Sequence, residues 1–217
     1  MIDRAPRRPR PEQADRFDPD VITGVVLAAG TSSRMGRPKQ LLDLGGKPIL
    51  QHVLDAAESS PLDEVVVVLG HRAEEIRDAL RLPSNARTVL NREFAGGQST
   101  SLGAGLRSAS PASLAAVVLL GDAPRIRPGA VRSVIDAFRR GQGPVVQATY
   151  GGRPSHPVLI PRSVWAELEG STGDEGARSL LAREPGLVER IEVGGEPPED
   201  VDTEQDYRRL RAAMERA

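Results

Sequence analysis

The chain has 217 residues, a formal net charge of −1 and no cysteine, so it is long enough for one folded unit, or one with a small appendage. Near-neutral charge excludes a global basic field for nucleic acid or anionic lipid, and the missing thiols exclude disulfides, iron–sulfur clusters, thiolate metal sites and cysteine nucleophiles. Aromatic residues make up 3% of the chain, too few for a stacking platform on single-stranded nucleic acid; no apolar run has transmembrane length, and a cysteine-free chain fits a reducing cytoplasm, the expected location.

Residues 1–20 hold Pro6, Pro9, Pro11 and Pro19 among five Arg and five Asp or Glu. Such a segment has little to bury and lacks the apolar core of a signal peptide. We expect a disordered leader over 1–20, with a docking arm as the alternative, and one domain over 21–217. From there short β-branched runs alternate with helical patterns. The strand Val21–Leu27 precedes the helix Pro48–Glu58, and the strand Val65–Leu69 precedes the helix Ala73–Leu80. Arg87–Leu90 then leads to the helix Ser99–Arg107, and Ala116–Leu120 to the helix Pro128–Arg139. Val145–Thr149 and Pro157–Ile160 read as consecutive strands. Helices Arg162–Leu168 and Glu175–Ala182, the strand Val188–Val193 and the helix Thr203–Arg216 complete the chain.

Pro48 and Pro128 suit a first helical turn. Thr203 and Asp206 have the spacing of a capping box, and Tyr207, Leu210 and Met214 then share one face as core contacts. The uninterrupted apolar runs Val65–Leu69 and Ala116–Leu120 fit strands buried on both faces. Alternation of this kind predicts an α/β fold of three layers with a mostly parallel central sheet. Ligands bind such sheets beyond the carboxyl ends of the strands. The clusters Gly30–Lys39, Asn91–Ser101 and Gly121–Pro124 each follow a strand in this way.

The first cluster is the most specific. An apolar strand runs into Leu27-Ala28-Ala29-Gly30, and Arg34, Gly36, Pro38 and Lys39 follow. Glycines let backbone N–H groups approach a phosphate, and the cations neutralise it. The spacing is not that of a Walker A loop, because Lys39 stands three past Gly36 and Gln40 follows where a hydroxyl is required. It is not a dinucleotide or kinase glycine loop, because the second glycine is missing. Any one of these residues alone would pass for an ordinary turn with surface charge.

The whole pattern, L-A-A-G-x-x-x-R-M-G-x-P-K, resembles the molybdenum cofactor nucleotidyltransferases, the MobA-like branch of the NTP transferases. The resemblance spans about residues 21–210. It implies a Rossmann-like nucleotidyltransferase fold, and it implies transfer of a nucleoside monophosphate from an NTP to a substrate phosphate. On it, Leu27, Ala28, Ala29, Gly30, Arg34, Lys39, Gly97, Ser101 and Asp122 bind the nucleotide, with Gln98 a weaker choice. Arg34, Lys39 and Asp122 carry the catalysis. Asp122, at the end of a buried strand beside Gly121, reads either as a turn former or as a hard ligand for Mg²⁺; the resemblance implies the metal. Asp200 and Asp202 lie on one side of an extended segment. Helix capping is one role for that cluster, and the resemblance implies Asp202 as the second metal ligand.

Arg153-Pro154-Ser155-His156-Pro157 is similar to the family's G-x-P-x-H-P segment, with Ser155 where glycine is usual. Gly173-Asp174-Glu175-Gly176-Ala177-Arg178 is similar to its G-D-x-G-A-R element. The resemblance therefore implies His156 and Asp174 on the acceptor side, against structural and capping roles for the same residues. Ala28-Ala29-Gly30 matches the cytidylyltransferases, whereas guanylyltransferases carry Ala-Gly-Gly, and the methyl of Ala29 would narrow the room for a base. The implied substrates are CTP and a molybdopterin-type acceptor, the cofactor is Mg²⁺, and the implied partner is a molybdoenzyme or its maturation factor. GTP or another phosphorylated acceptor is the nearer alternative, and a non-catalytic cofactor chaperone the more distant one. No His pair has zinc-ligand spacing and no G-x-S-x-G elbow is present.

Overall fold

The computed structural model describes residues 21–33, 35–141, 144–169, 173 and 177–215, with backbone only for 178–180. The expected leader, Arg34 and Asp174 lie outside these residues. In chain order the elements are β1 (Val21–Ala28), β2 (Asp43–Leu44), β3 (Lys47–Pro48), α1 (Ile49–Glu58), β4 (Glu64–Leu69), α2 (Ala73–Asp78), β5 (Ala86–Leu90), α3 (Gln98–Ser108), β6 (Ser113–Leu120), α4 (Pro128–Gly141), β7 (Val145–Tyr150), β8 (Arg153–Pro161), α5 (Trp165–Glu169), α6 (Arg178–Arg183), β9 (Val188–Glu192) and α7 (Glu204–Met214).

Seven strands form one sheet in the order β5-β4-β1-β6-β8-β7-β9. The pairs β5–β4, β4–β1, β1–β6 and β7–β9 are parallel, and β8 runs antiparallel to both β6 and β7. Successive strand residues face opposite sides, and the core splits accordingly. Val26, Val65, Val67, Val117 and Leu119 pack with Leu50, Val53 and Leu54 of α1 and with Val131, Val134 and Ile135 of α4. Val25, Val66, Val68, Ala116 and Val118 pack on the other side with Leu102 and Leu106 of α3 and with Trp165 and Leu168 of α5. These are the three expected layers. Val65–Leu69 and Ala116–Leu120 are buried throughout, as a central parallel sheet requires. No helix among the described residues is long and apolar enough to cross a membrane.

A third, smaller core joins Leu42, Leu44, Ile49, Val201, Tyr207 and Leu210. It docks α7 on the β2–β3 hairpin, an element too short to show in the sequence pattern. The capping box forms as expected, with the Thr203 and Asp206 side chains each bonding the other's backbone N–H. Met214 departs from the expectation: it is 36% exposed, at the open end of that core. Pro48 also departs, standing just before α1 with an extended ψ of 144°. The pairing of β3 claims it.

β8 begins four residues earlier than the expected strand, because Pro154 and Pro157 interrupt the pattern that sequence reading relies on. The register explains their presence: Gln147 faces Val158 but Thr149 faces Pro154, four steps on β8 against two on β7. The extra residues form a bulge, a device that bends a strand and re-aims its side chains. It lifts Ser155, His156 and Pro157 out of the regular ladder.

Close packing of α3 on the sheet rests on Gly105, where a methyl group would overlap Val25 Cγ1 and lie 3.1 Å from Val68 Cγ2. Gly105→Ala is expected to cost about 1–3 kcal/mol through overpacking. Gly129→Ala on α4, with nothing within 4 Å of the added carbon, is expected to be neutral or stabilising. Urea unfolding of the two variants measures the contrast; equal stabilities would show that α3 has room to shift.

Candidate functional site

The carboxyl ends of β1, β5 and β6 carry the loops that the sequence singles out. Gly121 turns the chain directly after β6, donating its N–H to the Leu27 carbonyl at 2.9 Å. A Cβ there would stand 2.8 Å from that of Ala28 and 2.9 Å from the Leu27 oxygen, so only glycine brings β6 this close to β1. Asp122 follows at the rim. Its carbonyl accepts the Val201 N–H at 3.0 Å, and Val201 is buried in the small core under α7. Residues 80 positions apart are thus fixed side by side, Asp122 from the sheet and Asp202 from the segment that precedes α7.

Lys39 lies between them. Its Nζ contacts Asp122 Oδ2 and stands 2.8 Å from Asp202 Oδ1. Burial pulls this ammonium toward its neutral form, but the charges and hydrogen bonds of Asp122 and then Asp202 outweigh that and raise its pKa above the ordinary lysine value. Two carboxylates facing one ammonium leave the cluster one negative charge in excess. Such a cluster attracts a further cation and repels a bare polyphosphate.

The first loop is held from within. Gln40 is 2% exposed; its amide donates to the Ala28 carbonyl at 3.1 Å and the Gly30 carbonyl at 3.3 Å. Ser32 donates to Gln40 Oε1 at 3.3 Å and accepts the Lys39 N–H at 3.1 Å. Ser32 takes a left-handed φ of 53°, uncommon outside glycine and characteristic of constrained loops. Gln40 and Ser32 therefore fix the path from β1 to Lys39. Sequence reading noted Gln40 only for its mismatch with Walker A; its signal is a polar residue in the short apolar stretch before β2.

An open cleft of about 590 Å³ runs along these loops. Leu27, Ala28, Ala29, Gly30, Lys39, Gly97, Ser101, Asp122 and Asp202 all line it, with Gln98 and Asp200. All the expected nucleotide and metal residues that the structure describes are thus brought to one place. Lys39 is the one Lys or Arg lining the cleft among the described residues. The methyl of Ala29 does not project into the cleft as expected: Ala29 is 3% exposed, and its Cβ faces Gly70, where an added methyl would come within 2.9 Å.

The opposite wall is the entry to α3. Gly97 precedes the helix with φ 99°, a conformation that favours glycine. Asn91 organises this wall, donating to Thr100 Oγ1 at 2.9 Å and Ser101 Oγ at 3.0 Å while accepting the Glu93 N–H at 3.0 Å. Gly173 bonds Gly96 and Ser99 through its backbone, tying the stretch beside Asp174 to the same wall. His156 lies elsewhere, in a side pocket of about 140 Å³ that meets the main cleft at Leu27, Gln98 and Asp200. Its Nδ1 stands 3.4 Å from the Val118 carbonyl.

A family model describing the MobA-like NTP transferase domain matches residues 24–188. Nicotine blue oxidoreductase of Paenarthrobacter nicotinovorans is 32% identical over 200 residues, which cover 87% of this chain and 96% of that protein. The homologue of Rv0371c from Mycobacterium sp. strain JC1 is 37% identical with a TM-score of 0.81, covering 90% of this chain and 97% of that one. Rv0371c of Mycobacterium tuberculosis H37Rv, in complex with manganese, is 33% identical with a TM-score of 0.76, covering 89% of this chain and 98% of that one.

Replacing Gln40 by Leu strands the Ala28 and Gly30 carbonyls. It is expected to cost about 1–3 kcal/mol of stability and to weaken nucleotide binding, measured by urea unfolding and by nucleotide titration. Unchanged nucleotide affinity in a folded Gln40→Leu variant would show that the loop needs no such clamp.

Proposed function

This chain belongs to the MobA-like NTP transferase domain family, and we propose that it transfers CMP from CTP to the phosphate of molybdenum-bearing molybdopterin, releasing pyrophosphate. It is a nucleotidyltransferase; the choice of base and acceptor is our reading. The observation that carries it is the convergence of Asp122, Asp202 and Lys39 at the rim of a cleft lined by the glycine loop.

The residues present fit a divalent ion. Asp122 and Asp202 already share one cation, the Lys39 ammonium, and two hard oxygens completed by phosphate oxygens make a usual Mg²⁺ set. No group of three or more His, Cys, Asp or Glu suited to a metal occurs among the described residues, so substrate oxygens would supply the remainder. When bound, Mg²⁺ supplies Lewis-acid neutralisation of the phosphates; the manganese in the relative's crystal suits the same donors.

Lys39 exchanges its carboxylate partners for the triphosphate, and the raised pKa keeps it charged for that role. Arg34 adds a planar fork to the same phosphates. The backbone of Leu27–Gly30 and the wall of Gly97 and Ser101 hold the nucleoside. An acceptor phosphate oxygen attacks the α-phosphorus in line; the new P–O bond forms as the bond to the β-phosphate breaks, and pyrophosphate leaves with the electron pair. No covalent enzyme intermediate is required, so the residues act by position and charge. His156 and Asp174 stand on the acceptor side in this reading, and the product passes to a molybdoenzyme or its maturation factor. The preference for CTP rests on the Ala28-Ala29-Gly30 pattern alone, since Ala29 is turned away from the cleft. A second reading has one observation in its favour: a full-length relative is named for oxidation–reduction, which would use the cleft for a redox dinucleotide.

With Mg²⁺ and molybdenum-loaded molybdopterin, pyrophosphate release is expected with CTP and not with GTP or ATP. Asp122→Ala is expected to slow it on the order of 10²–10³-fold. Near-normal turnover in that variant would remove Asp122 from the site. Release with GTP would keep the chemistry and change the base. Nucleotide binding without release would favour a chaperone, and reduction of nicotine blue by a reduced dinucleotide would favour the redox reading.

A further inference from the structure

The pocket beside the main cleft has features that nucleotide chemistry leaves unused. Leu102, Val118, Val158 and Leu181 give it apolar walls, and Gln98, Gln147 and Ser155 supply its neutral polar groups. Residue 147 is out of pattern for the sheet. On β7, Val146 and Ala148 face one core and Val145 faces the other. Gln147 shares the Val145 side, between Val158 of β8, with Val118 of β6 beyond it, and Arg190 of β9. A glutamine there places an amide where the apolar face meets the polar edge strand.

The two buried glutamines are fully engaged, whereas Gln98 and Gln147 are half-buried. Gln40 and Gln51 each use both ends of their amides. Among the described residues, no side-chain hydrogen bond is made by Gln147 or Gln98. An amide on an apolar wall presents one acceptor and two donors to whatever enters. A glutamine amide pairs in two-point fashion with a heterocycle that shows adjacent donor and acceptor atoms, as it does with adenine.

Size and charge narrow the ligand. About 140 Å³ is close to the volume that admits one six-membered ring. No Lys or Arg lines the pocket among the described residues, whereas Asp200 does. A carboxylate or phosphate there would meet the Asp200 carboxylate, with the His156 imidazole the one basic side chain among the described residues that line it. Leu27, Gln98 and Asp200 line both spaces, so a molecule with a ring at one end and a phosphate at the other can span them. The bulge in β8 places Ser155 and His156 at the pocket's mouth.

We propose that this pocket takes the pyrimidinone ring of the acceptor's heterocycle and that Gln147 is the residue reading its donor–acceptor edge, a specificity role that rests on the molybdopterin-type acceptor of the reading above. The same features count against sugar-acid or other anionic acceptors.

The test uses the fluorescence of 6-hydroxymethylpterin, titrated into the full chain and into Gln147→Met, a near-isosteric change without the amide. Melting curves confirm that the variant is folded. The expected result is saturable quenching by the wild type in the presence of CTP and about tenfold weaker binding by the variant, with CTP affinity held within about twofold. Equal pterin affinity in the two proteins, no saturable binding to the wild type, or displacement of the pterin by CTP would overturn the proposal. Failure of the transferase reading looks different: the pterin binds and depends on Gln147, yet no acceptor yields pyrophosphate.

Discussion

Everything at the mouth of the sheet is arranged around one ammonium group held by two carboxylates. Lys39 arrives on a loop stitched by Gln40 and Ser32, Asp122 on the rim of β6, and Asp202 on a segment anchored by Val201. Two like charges so close are tolerated only because a cation sits between them. In the proposed reaction, the excess of one negative charge suits a metal ion bound to phosphate rather than phosphate alone. The small core under α7 buries Val201 and so adds to the Val201–Asp122 backbone bond and the Lys39 ion pair in holding Asp202 against the sheet.

The close approaches are made by absent side chains. Gly121 lets β6 meet β1 beneath Asp122, and Gly70 fits between Ala29 and Phe94, where a methyl would lie 2.7 Å from the phenylalanine Cβ. Gly30 behaves otherwise, with nothing within 4 Å of an added carbon. Its smallness keeps open space in the cleft rather than permitting a protein contact. One glycine in the motif therefore faces open space in the cleft, and others nearby serve the packing.

Much of this was legible from local pattern. Periodicity and apolar runs placed the central strands, and the layered fold followed, because a strand buried on both faces leaves few alternatives. The meeting of Lys39, Asp122 and Asp202 in one cleft was legible through the resemblance carried by the whole motif, since each residue alone also fits surface charge, a turn or a helix cap. Long-range features were not. The β2–β3 hairpin has too few residues to form a pattern. The bulge in β8 is defined by pairing with β7, which no local window contains. Gln40, Asn91 and Gln147 look ordinary in the sequence and acquire meaning only from what surrounds them. The expected role of the Ala29 methyl failed for the same reason, since its direction is set by Gly70, far along the chain.

The most direct test is a crystal structure with Mn²⁺ and a CTP analogue whose bridge between the α- and β-phosphates cannot be cleaved. The account predicts an anomalous peak touching both Asp122 and Asp202, with Lys39 Nζ moved onto a phosphate oxygen. A bound nucleotide with Lys39 still between the two carboxylates, and the metal elsewhere, would contradict it.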